Sequence, residues 1–418
     1  MRKADLIKHC VDRGILLLDD IKLTNKQIEY ELGKWYLDNN PQFKTWGMEK
    51  RLNDFQTPQL CFNFKELKPE EQYEILTSED WIAETKIDGL RAIICYHPDY
   101  GFEFFSRDIS EITFLPNSYT DKIVMMKNGM IRNPRDYRGL FPYSFVLDGE
   151  VIVSDKNLDT TSHGGGFSVT ELNSTVSILG SAPERARAIQ MDGNPLKFFI
   201  FDCLEIGGKD LTVLPLRKRR EYMIKIVDTI SRVTPFQITA YTIRDKQMFF
   251  DNIVSSGGEG TVLKNLNERY YATPSRKRAV QVKMKRTVSE SNNTDIDAFI
   301  SGSILPRKGS SLETNKLIGG IKLSLFIDEP DGSQTEHWIG TISGITDSLR
   351  RKLTVLDEEG NPTLNPAYLN KVMRIEGQDI SSENHRLTHC RACDFNLRYD
   401  KSPGDCTLER AFIEKNIL

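Results

Sequence analysis

The sequence has almost no surplus charge. Its 56 Lys and Arg stand against 59 Asp and Glu over 418 residues, a formal net charge of −3. Any polyanionic partner must therefore be held by local basic patches, because overall charge will not draw it in. No apolar run is long enough to cross a membrane, and no signal-peptide pattern follows Met1-Arg2-Lys3. The 7 cysteines are scattered and odd in number, which suits a reducing interior better than a disulfide framework. No internal repeat stands out. These absences predict a cytoplasmic, non-membrane protein, long enough for two or three domains with real cores.

Three textures follow one another along the chain. Residues 1–50 place apolar side chains at helical spacing, as in Ala4–Arg13 and Thr24–Leu32, with Thr24 or Asn25 as the cap of the second helix. Residues 51–290 are rich in short β-runs, among them Arg91–Tyr96, Gly101–Ser106, Phe145–Val153 and Leu196–Asp202. Helical stretches at Leu216–Val227 and Lys246–Val254 interrupt them. The pattern predicts an α+β domain of mainly antiparallel sheets. The polar run Ser289–Asp295 reads as a hinge, and residues 291–418 continue as short strands with Gly turns.

The stretch Glu84-Thr85-Lys86-Ile87-Asp88-Gly89-Leu90-Arg91 stands apart. Lysine is rarely fully buried, so Lys86 is either a solvated residue before a surface turn or an amine held in a site. The run resembles the K-x-D-G-x-R motif of the covalent nucleotidyltransferases, which comprise DNA ligases, RNA ligases and mRNA capping enzymes. That resemblance implies that Lys86 is the catalytic nucleophile. A neutral lysine amine attacks the α-phosphate of a nucleotide and forms a phosphoramidate. Nearby cations and a bound metal are expected to lower the amine's pKa, and Gly89 to let backbone approach the ligand.

Further pieces of the same family pattern follow in order. Arg107 stands where the family has an arginine at the ribose or the nick. Asp148-Gly149-Glu150 resembles the D-G-E motif, whose glutamate reaches the ribose or a metal. Phe201 resembles the aromatic residue that stacks on the base. Glu259-Gly260 through Lys264 resembles E-G-x-x-x-K, and Lys283 and Lys285 resemble the strand lysines at the α-phosphate. Each has a plain structural reading in isolation: a hairpin turn at Asp148-Gly149, a core Phe201, a loop at Gly257–Gly260, one solvated strand face at Lys283 and Lys285. It is the conjunction in sequence that favours a site. The resemblance then implies an ATP pocket of Glu84, Ile87, Arg91, Arg107, Glu150, Phe201, Lys264, Lys283 and Lys285. Glu84 would read the adenine edge, and Glu150 and Glu259 would hold Mg²⁺.

The basic cluster Arg276-Lys277-Arg278 is either a solvated loop or a DNA-backbone contact. Arg217–Arg220 is a second cluster, either a surface face or a further DNA contact.

The C-terminal strands have the size and spacing of a five-stranded OB-fold barrel. Arg398, Asp400 and Lys401 resemble the R-x-D-K motif of the DNA ligase OB domain, which closes over the ATP pyrophosphate. Cys390 and Cys393, with His385 and His389 nearby, have a spacing seen in zinc sites, but a second close pair is missing.

Taken together the resemblance implies an ATP-dependent DNA ligase of compact form, acting as a monomer on nicked duplex DNA through a Lys86-AMP intermediate, with ATP and Mg²⁺. It implies a nucleotidyltransferase (ATP-grasp-like adenylation) domain over 51–290 and an OB domain over 291–418. An RNA ligase or a GTP-dependent capping enzyme competes, although capping enzymes usually carry threonine where this chain has Ile87. A non-catalytic DNA-binding module is a further alternative. The chain departs from large ligases in having only about 50 residues before the core. Those residues are either a lead-in packed on the next domain or a small DNA-contacting arm, and residues 154–195 are a candidate loop near the nick.

Overall fold

The computed structural model describes residues 3–15, 23–55, 58–110, 112–153, 169–271, 279–285, 295–308, 310–329, 331–376, 379–380, 386–388 and 390–408. The chain divides into two compact units, Met1–Lys285 and Arg286–Leu418.

The first unit opens with helices α1 (Lys3–Asp12), α2 (Asn25–Asn39) and α3 (Trp46–Asn53). Thr24 is the cap of α2 and forms a reciprocal capping box with Gln27. Beside a short hairpin of Met125–Lys127 and Met130–Arg132, the unit carries β1 (Phe62–Asn63), β2 (Trp81–Thr85), β3 (Leu90–His97), β4 (Gly101–Ile109), β5 (Pro116–Ser118), β6 (Phe145–Val153), β7 (Leu196–Ile206), β8 (Lys209–Asp210), β9 (Phe236–Ile238), β10 (Tyr241–Thr242), β11 (Gly260–Asn265) and β12 (Gln281–Lys285). The labelled strands make two sheets. One has the order β1-β12-β11-β2-β10, and the other β8-β7-β6-β3-β4-β5 with β9 on β7. Two of these pairings are parallel, β1 with β12 and β9 with β7; the others are antiparallel.

The second sheet is buried on both faces, so its strands read as continuous apolar runs. On one face Ile94, Phe104, Leu147 and Phe198 pack against the helices Val169–Gly180, Pro183–Met191 and Leu216–Ile230. On the other, Ile93, Cys95, Phe105, Val146 and Leu204 meet Leu37, Met48 and Leu52 of α2 and α3. The N-terminal helices thus close one side of the core. Residues 169–191, expected to lie in a loop, are mostly helical because Ile178, Leu179 and Ala186 have the sheet to cover; residues 154–168 lie outside the described ones.

The dipeptide Asp148-Gly149, which alone suggests a hairpin turn, lies in the middle of β6. A register shift on the β7 side falls between these two residues. A Cβ at Gly149 would collide with the Phe199 carbonyl, so glycine lets the two backbones approach at the irregularity.

The second unit carries β13 (Asp295–Ile304), β14 (Gly320–Asp328), β15 (Gln334–Ile342), β16 (Val372–Glu376) and β17 (Arg391–Leu397) in the antiparallel order β15-β14-β13-β16-β17. Its core is aliphatic, built on Ile296, Ile300, Ile321, Leu323, Ile339 and Ile375.

Candidate active site

Lys86 stands where the chain leaves the first sheet for the second. β2 ends at Thr85, the Lys86 amide donates to the Gly260 carbonyl at 2.9 Å, and β3 begins at Leu90. Gly260 has φ +133°, and a Cβ there would meet the Met284 carbonyl. Glycine thus lets β11 start hard against β12 and sets Glu259 beside the Lys86 amine. One Glu259 oxygen pairs with Lys86 Nζ and the other with Lys285 Nζ.

Electrostatics follow from that pairing. Burial alone would lower the Lys86 pKa, but Glu259 first, and then Glu150 and Asp88, outweigh it and hold the amine above its ordinary value. Burial pushes the Glu259 carboxyl up, yet Lys86 and Lys285 together hold it below its usual range. The expectation that cations depress Lys86 is therefore not met by these residues alone. The charges nearest its amine are carboxylates, and they favour the ammonium form. Glu150 on β6 behaves differently: burial pushes its carboxyl up to about 7, against the opposing pull of Arg91 and Lys86.

Glu84 on β2 is buried and fully engaged. One oxygen pairs with Arg220 and the other lies 2.6 Å from Lys264 Nζ. Arg220 comes from the helix Leu216–Ile230, whose inner face also carries Met223, Val227 and Ile230. Sequence reasoning offered the Arg217–Arg220 cluster as surface or DNA contact. The helical period instead splits it. Arg217 and Lys218 are exposed. Arg219 and Arg220 are buried, Arg219 forming a two-pronged pair with Asp202 at 2.9 Å on each prong. Two adjacent arginines on the apolar side of an amphipathic helix were the available signal that an acidic partner was waiting.

Phe201 on β7 carries cations over its ring, Lys264 Nζ at 4.2 Å and the Arg91 guanidinium at 4.8 Å from the centroid. Arg91 is aimed by Asp148, which is fully buried and accepts from Arg91 Nε at 2.5 Å and Nη2 at 2.6 Å. Asp148 also accepts from the Tyr270 hydroxyl at 2.9 Å, which in turn accepts from the Gln59 amide at 2.9 Å. Asp148 and Tyr270 were not assigned from sequence, since nothing local says which way an acidic residue in a strand faces.

The remaining expected residues are less uniform. The Ile87 side chain is buried with Ile152 and Phe199, which share the sheet face of Glu150. Arg107, two residues before the end of β4, is half-exposed and bonded to Asp108 at 3.3 Å. Lys283 lies on β12 opposite Val262 of β11 and Asn63 of β1. In the second unit Arg398 grips Asp400 at 2.9 and 2.7 Å, and Arg398 and Lys401 both reach Asp297, at 3.3 and 2.6 Å. Arg374 joins them at 3.5 Å, so Asp297 is a hub that sequence reasoning missed. Arg276, Lys277 and Arg278 lie outside the described residues, as do His385, His389 and the Cys393 side chain. Among the described residues no group of three His, Cys, Asp or Glu side chains is placed to hold a metal ion. Burial pushes the Cys390 thiol up to about 12. No helix of the described residues is long and apolar enough to cross a membrane.

Comparison with known proteins places this arrangement. A family profile described as "ATP dependent DNA ligase domain" matches residues 58–285. A probable DNA ligase of Aquifex aeolicus is 24% identical over 369 residues, which is 79% of this chain and 56% of that protein. A DNA ligase 4 of Kluyveromyces lactis is 28% identical over 250 residues, 57% of this chain and 25% of its own length. The chain thus spans about half, or less, of these curated relatives. A solved structure named "Pmar-Lig_Pre." is similar in fold, with a TM-score of 0.50 and 14% identity, covering 93% of this chain and 75% of its own.

Proposed function

The chain belongs to the ATP-dependent DNA ligase family, and from that premise we propose that it seals nicks bearing a 3′-hydroxyl and a 5′-phosphate in duplex DNA. The observation that carries the reading is Lys86 at the junction of two sheets, paired with a Glu259 that also holds Lys285, with Glu150 within electrostatic range. Lys86 Nζ attacks the α-phosphorus of ATP, a P–N bond forms and pyrophosphate leaves. An oxygen of the DNA 5′-phosphate then attacks the AMP phosphorus, the P–N bond breaks, and the amine is recovered. The 3′-hydroxyl finally attacks the 5′-phosphorus, expelling AMP and joining the strand.

The residues present suit these tasks. Three phosphates need cations fixed before reaction, and Lys264, Lys285 and Lys283 supply them. Before it can attack, Lys86 must part from Glu259 and lose a proton. Phe201 offers an aromatic face for the purine, and Glu84, aimed by Arg220, a polar edge beside it. Magnesium is bound through one or two carboxylates plus phosphate oxygens. Glu150 fits that requirement, whereas both Glu259 oxygens are engaged by lysines. When bound, such an ion would offset phosphate charge.

The five-stranded antiparallel sheet of the second unit is read as an OB-fold, and Arg398, Asp400 and Lys401 are proposed to act on the pyrophosphate in the first step. The protein is proposed to act as a monomer inside the cell, where ATP and nicked DNA are found. The test is sealing of a singly nicked duplex in ATP and Mg²⁺, in DNA and RNA versions, beside Lys86→Ala. Sealing of DNA by the wild type alone supports the reading. Sealing of RNA only, or covalent labelling by GTP in place of ATP, points to the RNA ligase or capping alternative.

A further inference from the structure

Arg51 on α3 is 0% exposed, the most deeply buried arginine side chain of the first unit. Burying a guanidinium costs several kcal/mol unless the charge is paired, yet no carboxylate among the described residues is within ion-pair distance of it. Its hydrogen bonds go to three backbone carbonyls. Nη1 donates to Phe55, and Nη2 donates to Ser106 at 2.9 Å and Arg107 at 3.3 Å. Among the described residues its Nε has no partner. Leu or Met would fill this position at less cost if packing were its whole purpose.

The carbonyls it serves explain its presence. β4 is paired with β3 only as far as Ser106, opposite Ala92. On its other edge the register with β5 slips between Phe105 and Ile109. The chain end that carries Arg107 therefore runs past the ladder, and its carbonyls need another donor. Arg51 provides it from a segment that is remote in sequence. The same guanidinium lies within electrostatic range of Asp148 and Arg91. Meanwhile the Arg107 side chain projects outward, about half exposed. The family profile begins at residue 58, so it assigns nothing to Arg51.

We propose that Arg51 is a positioning residue for Arg107: through this one guanidinium the N-terminal helix fixes the strand end from which Arg107 reaches the substrate. The role of the N-terminal helices is then to aim a site residue as well as to cover the sheet. The inference rests on the ligase reading above, because it needs a reaction in which Arg107 takes part.

The test is a double-mutant cycle on the full chain, in single-turnover assays of three separate steps: adenylation of Lys86 by ATP, transfer of AMP to the nick, and sealing of a pre-adenylated nick. Arg51→Lys, which keeps the charge but loses the fork, is expected to slow the same step that Arg107→Ala slows, by up to about 100-fold. The other steps should stay within about twofold, and the double variant should be no slower than Arg107→Ala alone. Arg51→Gln, which retains donors without burying a charge, supplies the same cycle if the lysine variant folds poorly. Losses that multiply in the double variant, or equal slowing of all three steps, overturn the inference and leave the ligase reading standing. A wild-type protein that seals no nick overturns that reading and this inference with it.

Discussion

The Lys86 amine and the Glu259 carboxylate, 173 residues apart in the chain, form a direct ion pair across neighbouring strands of one sheet. The pair holds the candidate nucleophile as an ammonium ion, so part of its activation consists in breaking it. Replacing Glu259 by Gln removes the charge that raises the Lys86 pKa and leaves the desolvation that lowers it. The pH dependence of AMP labelling should therefore shift to lower pH in Glu259→Gln, while the maximal rate falls because Lys285 loses its anchor. A labelling profile measured at saturating ATP checks this. An unshifted midpoint would show that Glu259 does not control the amine.

Glu150 gives a stability prediction with a definite sign. Its carboxyl titrates near 7 in the folded chain and from 4.5 in the reference state. Between those values the folded protein keeps a proton that the unfolded chain has released. Stability therefore falls as pH rises through this window. Glu150→Gln mimics the protonated form. Its melting temperature should exceed that of the wild type above neutrality and match it at acid pH, with nick sealing lost. Melting curves of the two proteins that run parallel across the whole range would exclude a shifted Glu150.

Arg91 and Asp148 form a two-pronged pair in which the carboxylate is fully buried. Lysine at position 91 keeps the charge but cannot reproduce the fork, leaving one Asp148 oxygen short of a partner. The cost of breaking a buried pair is about 3–5 kcal/mol when one partner is removed, and Arg91→Lys should lose a fraction of that. Urea denaturation measures it, and a midpoint equal to that of the wild type would refute the argument. A weakened grip on ATP should accompany the loss, because Arg91 also lies over Phe201.

Asp297 holds Arg374, Arg398 and Lys401 in the second unit. Hydrogen bonding to Asp400 first, and then the charge of Asp297, holds the Arg398 guanidinium above its usual range. Asp297→Asn removes the charge that holds Arg374 and Lys401 and leaves Arg398 held by Asp400 alone. If Arg398 and Lys401 serve the first chemical step, adenylation of Lys86 should slow while sealing of a pre-adenylated nick stays near the wild-type rate. Equal slowing of both steps would reassign this cluster to the stability of the unit.

The sequence by itself determined the elements and the order of the chemistry. Apolar period placed the strands at Arg91–Tyr96 and Phe145–Val153 and the helix at Leu216–Val227, because backbone periodicity is written in neighbouring residues. The run from Lys86 to Lys285 marked the candidate nucleophile and most of the residues proposed to act with it, since each lies within a few residues of a short motif. Tertiary structure alone decided which charge faces which. That Glu259 answers Lys86 follows from β11 lying between β12 and β2. That Arg220 answers Glu84, Tyr270 answers Asp148, and Arg51 holds the end of β4 depends on long-range packing of helices on sheets. Coulomb and hydrogen-bond partners are chosen by distance in space, and a strand or helix shows its neighbours in sequence but not those it will meet. The same reason explains Ile87. Beside the candidate nucleophile in sequence, it packs with Ile152 and Phe199, which are distant in the chain.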